Sequence, residues 1–227
     1  MPMSQLPKSK AKKDGNIDVR QRITEAALIL FATKGYSGTS IRDITSLAKC
    51  NVAAINYHFK NKDNLYVSVF AGELLRLKDF RVNGLNAMMA EKSDSATLKD
   101  LIYHFSHLFL DPIINQSSGK YLTKLWLREM LDNHLPDGMI IDSMIKPTTD
   151  VFLKAVATIA PKIHQRHTLL CFHSLVAQLI HVFEHMDLFD EVHTGDTYNP
   201  LANLHDIINH IVDFSVAGFQ CFGQKAQ

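Results

Sequence analysis

Apolar residues recur at helical spacing along most of the chain, and a few polar signals divide them into segments. From Asp18, with Gln21 three positions on as a capping-box partner, Ile23, Ala26, Ala27, Leu30 and Phe31 follow at intervals of three and four. Lys34 in the last turn and Gly35 just beyond it predict where this helix stops. A second, short helix is expected from Ser40, whose hydroxyl can cap while Asp43 reaches back, with Ile41, Ile44 and Leu47 on its buried side and an end near Ala48. The tight connection Lys49-Cys50-Asn51 leads to a third short helix, Val52 to Phe59, and a long fourth runs from about Lys62 towards Met89. Val52, Ile55 and Phe59 are spaced to pack the third helix on the first two, which leaves Asn51, Ala53, Ala54, Asn56 and Tyr57 on its other side.

Beyond residue 90 the pattern stays helical and becomes more apolar. Leu98, Leu101, Ile102, Phe105, Leu108 and Phe109 form one face, which Asp111-Pro112 is expected to break. Further helices are predicted around Lys120 to Leu131, from Pro147 to just before Pro161, from about Arg166 to Asp187, and from Leu201 to Phe222. A polar loop with Gly195 and Pro200 separates the last two. No alternating strand pattern of useful length and no internal repeat is present. The fold class that follows is all-α: a polar N-terminal arm over 1–15, a helix-turn-helix module over 16–62, and a helical domain over 63–227 entered through the fourth helix at about 62–89.

Charge changes this picture by dividing it. The chain of 227 residues carries a formal net charge of +1, yet residues 1–79 sum to +6 and the remainder to −5. A basic segment joined to an acidic body suits a protein of which only the first part meets a polyanion. Lys8, Lys10, Lys12 and Lys13 place part of that charge in the arm, where disorder is expected. No apolar run is long enough to span a bilayer, the start lacks an apolar signal segment, and Cys50, Cys171 and Cys221 are odd in number and far apart. A cytoplasmic protein without disulfides, membrane anchor or cofactor is the expectation.

The run Gly38-Thr39-Ser40-Ile41-Arg42-Asp43-Ile44-Thr45, continued by Asn51-Val52-Ala53-Ala54-Ile55-Asn56-Tyr57-His58-Phe59-Lys60-Asn61-Lys62-Asp63-Asn64-Leu65, resembles the DNA-binding domain of TetR-family (tetracycline-repressor-like) transcriptional regulators. The resemblance is close over about residues 18–70. It implies phosphate contacts from Thr39 or Ser40, Tyr57, His58 and Lys62, and base contacts from Asn51, Val52, Ala53, Ala54 and Asn56. The residue types suit those roles: Asn can pair with adenine, Val or Ala can meet a thymine methyl group, and a hydroxyl, imidazole or ammonium donates to phosphate. Lys62 stands in the first turn of a helix, where a cation is unfavourable, so a DNA phosphate is the expected partner of its ammonium. Many relatives carry Gly at the position of Ala53 or Ala54 and Tyr at Asn56, so no operator sequence carries over.

The same resemblance implies a homodimer on a palindromic operator, paired through the last two helices, and a small-molecule effector held in the C-terminal domain. Leu169, Phe172, Val176, Ile180 and Phe183, with Leu204, Ile208, Ile211 and Phe219, form the expected dimer face. Phe105, Phe109, Trp126, Met130, Phe152, Phe172, His173 and Gln178 make an aromatic, methionine-bearing set with few polar atoms, suited to an apolar ligand. Two competing classes remain open. One is a DNA-bound scaffold that recruits a protein without answering to a ligand. The other is a metal-dependent hydrolase, because His181-Val182-Phe183-Glu184-His185 has the H-x-x-E-H spacing of a zinc peptidase; it lacks an evident third ligand, and His104 with His107 form an equally incidental pair.

Overall fold

A computed structural model describes residues 10–114, 119–191 and 204–224, and these contain helices and turns with no strand. The helices are α1 (Lys10–Lys34), α2 (Ile41–Ala48), α3 (Val52–Phe59), α4 (Lys62–Lys92), α5 (Leu98–Ile114), α6 (Gly119–Asp132), α7 (Lys146–Ile159), α8 (Gln165–Glu191) and α9 (Leu204–Gln224). A 3₁₀ turn, Ser93–Ser95, follows α4, and a π-helical turn, Ile141–Ile145, leads into α7. The all-α class read from the sequence is the observed one.

Two compact units share these elements. The first comprises residues up to Glu73 together with Tyr121–Pro136, and the second comprises Leu74–Lys120 with Asp137 onwards. In the first unit Ile23, Ala27 and Phe31 of α1 are fully buried, as are Ile44 of α2, Ile55 of α3 and Leu65 of α4. Burial of each of the larger side chains favours folding by about 1.5–3 kcal/mol, so these contacts make α2 and α3 stable at lengths that no isolated helix would sustain. The second unit is organised around Leu101, Ile102 and Phe105 of α5, Phe152 of α7, Phe172, Leu175 and Leu179 of α8, and Ile208, Val212 and Phe219 of α9.

Several local readings are met and others corrected. Gly35 ends α1 at φ 76°, a conformation that costs glycine little. Ser40 and Asp43 form the full capping box of α2, and α3 has the expected bounds. Helix α1, however, begins at Lys10 rather than at Asp18, because Lys and Ala extend a nucleated helix cheaply. Residues 1–9 of the proposed arm lie outside the described residues. Leu47 is 49% exposed, and Thr45 and Ala48 are buried in its place. At roughly 100° per residue, Leu47 falls about 100° from the middle of the stripe through Ile41, Ile44 and Ala48. Pro112 does not break α5 but sits in its last turn, where the lost N–H removes a single hydrogen bond. The fourth helix reaches Lys92, and Tyr121–Pro136, most of α6, groups with the N-terminal helices.

Candidate nucleic-acid interface

The turn between α1 and α2 is built on Thr39 and Lys62. Thr39 is 1% exposed, and its Oγ1 donates to the carbonyls of Gly35 (2.7 Å) and Leu30 (3.1 Å). The Lys62 Nζ donates to the carbonyls of Tyr36 (2.9 Å) and Thr39 (3.0 Å) and lies 4.0 Å above the Tyr36 ring, while the Tyr36 hydroxyl donates to Asp63. Partial burial pulls the Lys62 ammonium below the ordinary lysine range. Both side chains thus have polar partners within the chain itself. Thr39 has spent its hydroxyl inside the turn, and Lys62 overcomes its unfavourable first-turn position by satisfying two carbonyls of its own chain.

Ser40 and Asn51 hold helix ends. The Ser40 hydroxyl accepts from the Asp43 N–H (3.1 Å) and donates to the Asp43 carboxylate (2.6 Å), so it stands beside a negative charge that disfavours a phosphate. Asn51 accepts from the Ala54 N–H at 2.9 Å, which makes it the N-cap of α3. Its carbonyl oxygen is thereby withdrawn from bidentate base pairing, although the residue is exposed.

What remains is the outer face of α3. Ile55 (0% exposed) and Phe59 (4%) fix the helix on the core, whereas Val52 is 44% exposed and Tyr57 76%. Val52 thus leaves the packing role that its spacing allowed and joins Ala53, Asn56 and Tyr57 on the open surface, with Ala54 half-buried behind them. Tyr57 and His58 meet edge to face at 5.0 Å. Short side chains at 52, 53 and 56 let a helix backbone approach a groove floor closely.

Sequence reading missed three cations near α3: Arg42 in the first turn of α2, and Lys49 and Lys60 on the turns bounding α3. Arg42, Lys49 and Lys60 are exposed, and no ion pair involves them among the described residues. Lys49 (φ 52°) closes α2 in the left-handed region, and Lys60 (φ 71°) closes α3. Their signal was positional: a basic residue in each polar gap flanking the third helix. Arg22 supports the same corner from behind, donating from Nη1 to the Ala48 carbonyl at 3.0 Å.

The C-terminal candidates are placed differently from expectation. Phe105, Phe152 and Phe172 close on one another with ring centroids 4.6–5.2 Å apart, so they are core and line no open space between them. Trp126 and Met130 belong to the first unit, Trp126 facing Phe70 and Met130 72% exposed. Phe109 is half-buried against the core, His173 is exposed, and the Gln178 amide donates to the Ser174 carbonyl of its own helix. Of the expected dimer face, Phe172, Ile208, Ile211 and Phe219 are buried in their own chain, Val176 and Leu204 are half-buried, and only Leu169 and Ile180 reach the surface. The Phe183 side chain lies outside the described residues.

An all-helical chain that presents a short, capped recognition helix on a basic module belongs to the class of helix-turn-helix DNA-binding regulators. Residues 23–69 match the model of the bacterial regulatory proteins of the tetR family, and residues 98–219 match the C-terminal domain of the HTH-type transcriptional dual regulator CecR. The chain belongs to the TetR family. It is 47% identical over 49 residues to the probable HTH-type transcriptional regulator YttP of Bacillus subtilis (22% of this chain, 24% of YttP). It is 40% identical over 50 residues to the HTH-type transcriptional repressor NicS of Pseudomonas putida (22% and 24%). These matches span about a quarter of each relative. Its fold resembles that of a TetR family transcription regulator from Marinobacter aquaeolei VT8 (TM-score 0.59, 11% identity, 91% of this chain and 97% of that one). It also resembles that of NalD, the secondary repressor of the MexAB-OprM multidrug efflux pump in Pseudomonas aeruginosa (TM-score 0.55, 19% identity, 90% and 96%). The chain is accordingly a DNA-binding transcriptional regulator and not an enzyme, which removes the hydrolase reading of His181, Glu184 and His185. His181 and Glu184 are exposed on α8, and the His185 side chain lies outside the described residues. His107 instead pairs with Asp111 at 3.5 Å on its own helix.

Proposed function

We propose that this regulator is a homodimeric repressor that reads a palindromic operator with α3 and leaves it when a small, largely apolar ligand binds the second unit. The observation that carries the DNA-reading part is the open face of α3, where Val52, Ala53 and Asn56 stand exposed on a helix anchored by Ile55 and Phe59. Asn56 is the base-reading polar residue, with Val52 and Ala53 suited to thymine methyl groups. Tyr57 and His58 serve as phosphate donors, joined by Arg42 from the first turn of α2 and by Lys49 and Lys60 from the turns flanking α3. Repression is the sign favoured by the names of NicS, of the biofilm-operon negative regulator IcaR of Staphylococcus epidermidis and of NalD.

Dimerisation follows from what one module can do: a single recognition helix reads one half-site, and two copies about one DNA turn, roughly 34 Å, apart supply useful affinity. The outer faces of α8 and α9 suit that pairing, because Leu170, Ile180 and Phe214 are exposed there at 53%, 37% and 62%. Fluorescence anisotropy with DNA from upstream of the coding sequence and with a scrambled duplex tests the reading at several salt concentrations. Tight, salt-sensitive binding that prefers the native duplex is expected, and Asn56→Ala should narrow that preference by about 1–3 kcal/mol. Equal weak binding to both duplexes would remove operator recognition by α3.

A further inference from the structure

Arg81 is buried, 5% exposed, among apolar side chains of the second unit. On α4 it shares a face with Leu77 and Leu85, one turn to either side and both buried, so its stem leaves the helix towards the core. The guanidinium lies 4.2 Å over the Phe109 ring. Nη2 reaches the Phe109 carbonyl at 3.4 Å, Nη1 reaches the Met144 sulfur at 3.5 Å, and Nε has no acceptor. No carboxylate pairs with Arg81 among the described residues, and the charge acting on it is the like charge of Arg76. Burial presses its pKa down to about 10, which leaves it charged at neutral pH.

A buried charge is stable only when paired and hydrogen-bonded. Here it has one aromatic face, one long carbonyl bond and a thioether, which is a weak acceptor. Met144 sits in the π-helical turn Ile141–Ile145, whose end residues Ile141 and Ile145 are 56% and 41% exposed. Such turns are rare and fall often at functional sites, and methionine changes rotamer readily. The weakest partner of the guanidinium is therefore also the easiest to displace.

We propose that Arg81 is the anion-recognising residue of an effector site in the second unit, and that the effector is a small carboxylate with an apolar body. The carboxylate takes the Nη1–Nη2 end of the guanidinium, replacing the Met144 thioether at Nη1, and the body lies beside Phe109. One guanidinium fork matches the two oxygens of a planar carboxylate, and one charge neutralises one charge. A dianionic phosphate would leave a second charge unpaired in an apolar setting. The proposal rests on the ligand-release reading above.

The full-length protein is titrated calorimetrically with benzoate and octanoate and with their neutral amides, and its melting temperature is followed in parallel. Carboxylates should bind at least tenfold tighter than the amides. Arg81→Met should erase that preference and raise the ligand-free melting temperature, because it removes an unpaired buried charge while filling the space. Arg81→Lys should keep the preference with weaker binding. The site is overturned if carboxylates show no advantage, if the advantage survives Arg81→Met, or if Arg81→Met melts lower than the parent, which would make Arg81 a structural residue. Operator anisotropy separates the two readings. Carboxylate binding through Arg81 that leaves the DNA complex intact keeps the site and removes ligand release, whereas release by the amides alone keeps ligand release and removes the site.

Discussion

Lys62 illustrates how a residue's type can be right for one task while its surroundings commit it to another. Its ammonium satisfies the Tyr36 and Thr39 carbonyls, so Lys62→Met, which keeps the apolar stem, orphans the Thr39 carbonyl, while the Tyr36 carbonyl still accepts from the Thr39 N–H. We expect a loss of about 1–3 kcal/mol in thermal unfolding and an unchanged slope of log affinity against log salt. A slope lower by about 0.9 with an unchanged melting temperature would instead restore Lys62 to the phosphate contacts. Asp43 offers a pH test at the same scale. The Ser40 hydroxyl first, then the Ser40 N–H and Lys34, hold its carboxyl at about 2 against an ordinary 3.8. Because the folded value is the lower one, its stabilisation of α2 is complete above the ordinary value and fades as pH falls through that range. The melting-temperature gap between the parent and Asp43→Asn should be constant from pH 7 to about 5 and close towards pH 2. A gap that closes near neutrality would point to another group.

Between elements, the firmest link of the N-terminal unit is the one that joins α6 to α1 and α4. Glu129 is 4% exposed, and its two oxygens accept from the Tyr66 hydroxyl and the Leu135 N–H at 2.7 Å each. Arg128 donates to the Ala32 and Thr33 carbonyls at the end of α1 (3.0 Å each). Glu129→Ala leaves two donors without acceptors and should cost about 2–5 kcal/mol, whereas Tyr66→Phe, which removes only one donor, should cost about 1–2 kcal/mol. Chemical denaturation of both variants and of their double mutant checks the coupling, and strictly additive losses would show that the hydroxyl and carboxylate do not act together. Local chemistry explains what was legible beforehand. The bounds of α2 and α3 are written in Ser40, Asp43 and Asn51, whose caps act within a few residues, and Gly35 ends α1 by its own backbone freedom. The internal bonds of Thr39 and the attachment of α6 were not legible. Their partners lie across turns or dozens of residues away, and periodicity carries no information about them. The stripe of α8 and α9 was legible as apolar, but spacing alone does not distinguish a chain's own core from a face for a second copy.

At the level of the molecule, charge and apolar surface divide the labour. The basic charge is concentrated in residues 1–79 and the acidic charge in the remainder, so the field that draws in DNA acts on the recognition end of the sequence. The C-terminal helices contribute the surface that would make one chain two. On α8, Leu170, His173, Ala177 and Ile180 recur on an exposed stripe, and on α9 His210, Phe214 and Ala217 do the same. Exposed positions contribute little to the fold, typically within about 0.5 kcal/mol on substitution, so Leu170→Glu combined with Phe214→Glu should leave helicity and ligand-free melting nearly unchanged. The same pair places like charges on both sides of a two-fold interface, where each patch meets its own copy. Sedimentation should therefore report a monomer. That monomer should bind a full palindrome no better than a half-site, because the second module no longer comes at the effective concentration that linkage provides. A double variant that remains a dimer with full operator affinity would place the interface away from the α8 and α9 stripes. A monomer that still prefers the full palindrome would mean that DNA itself brings the two recognition modules together.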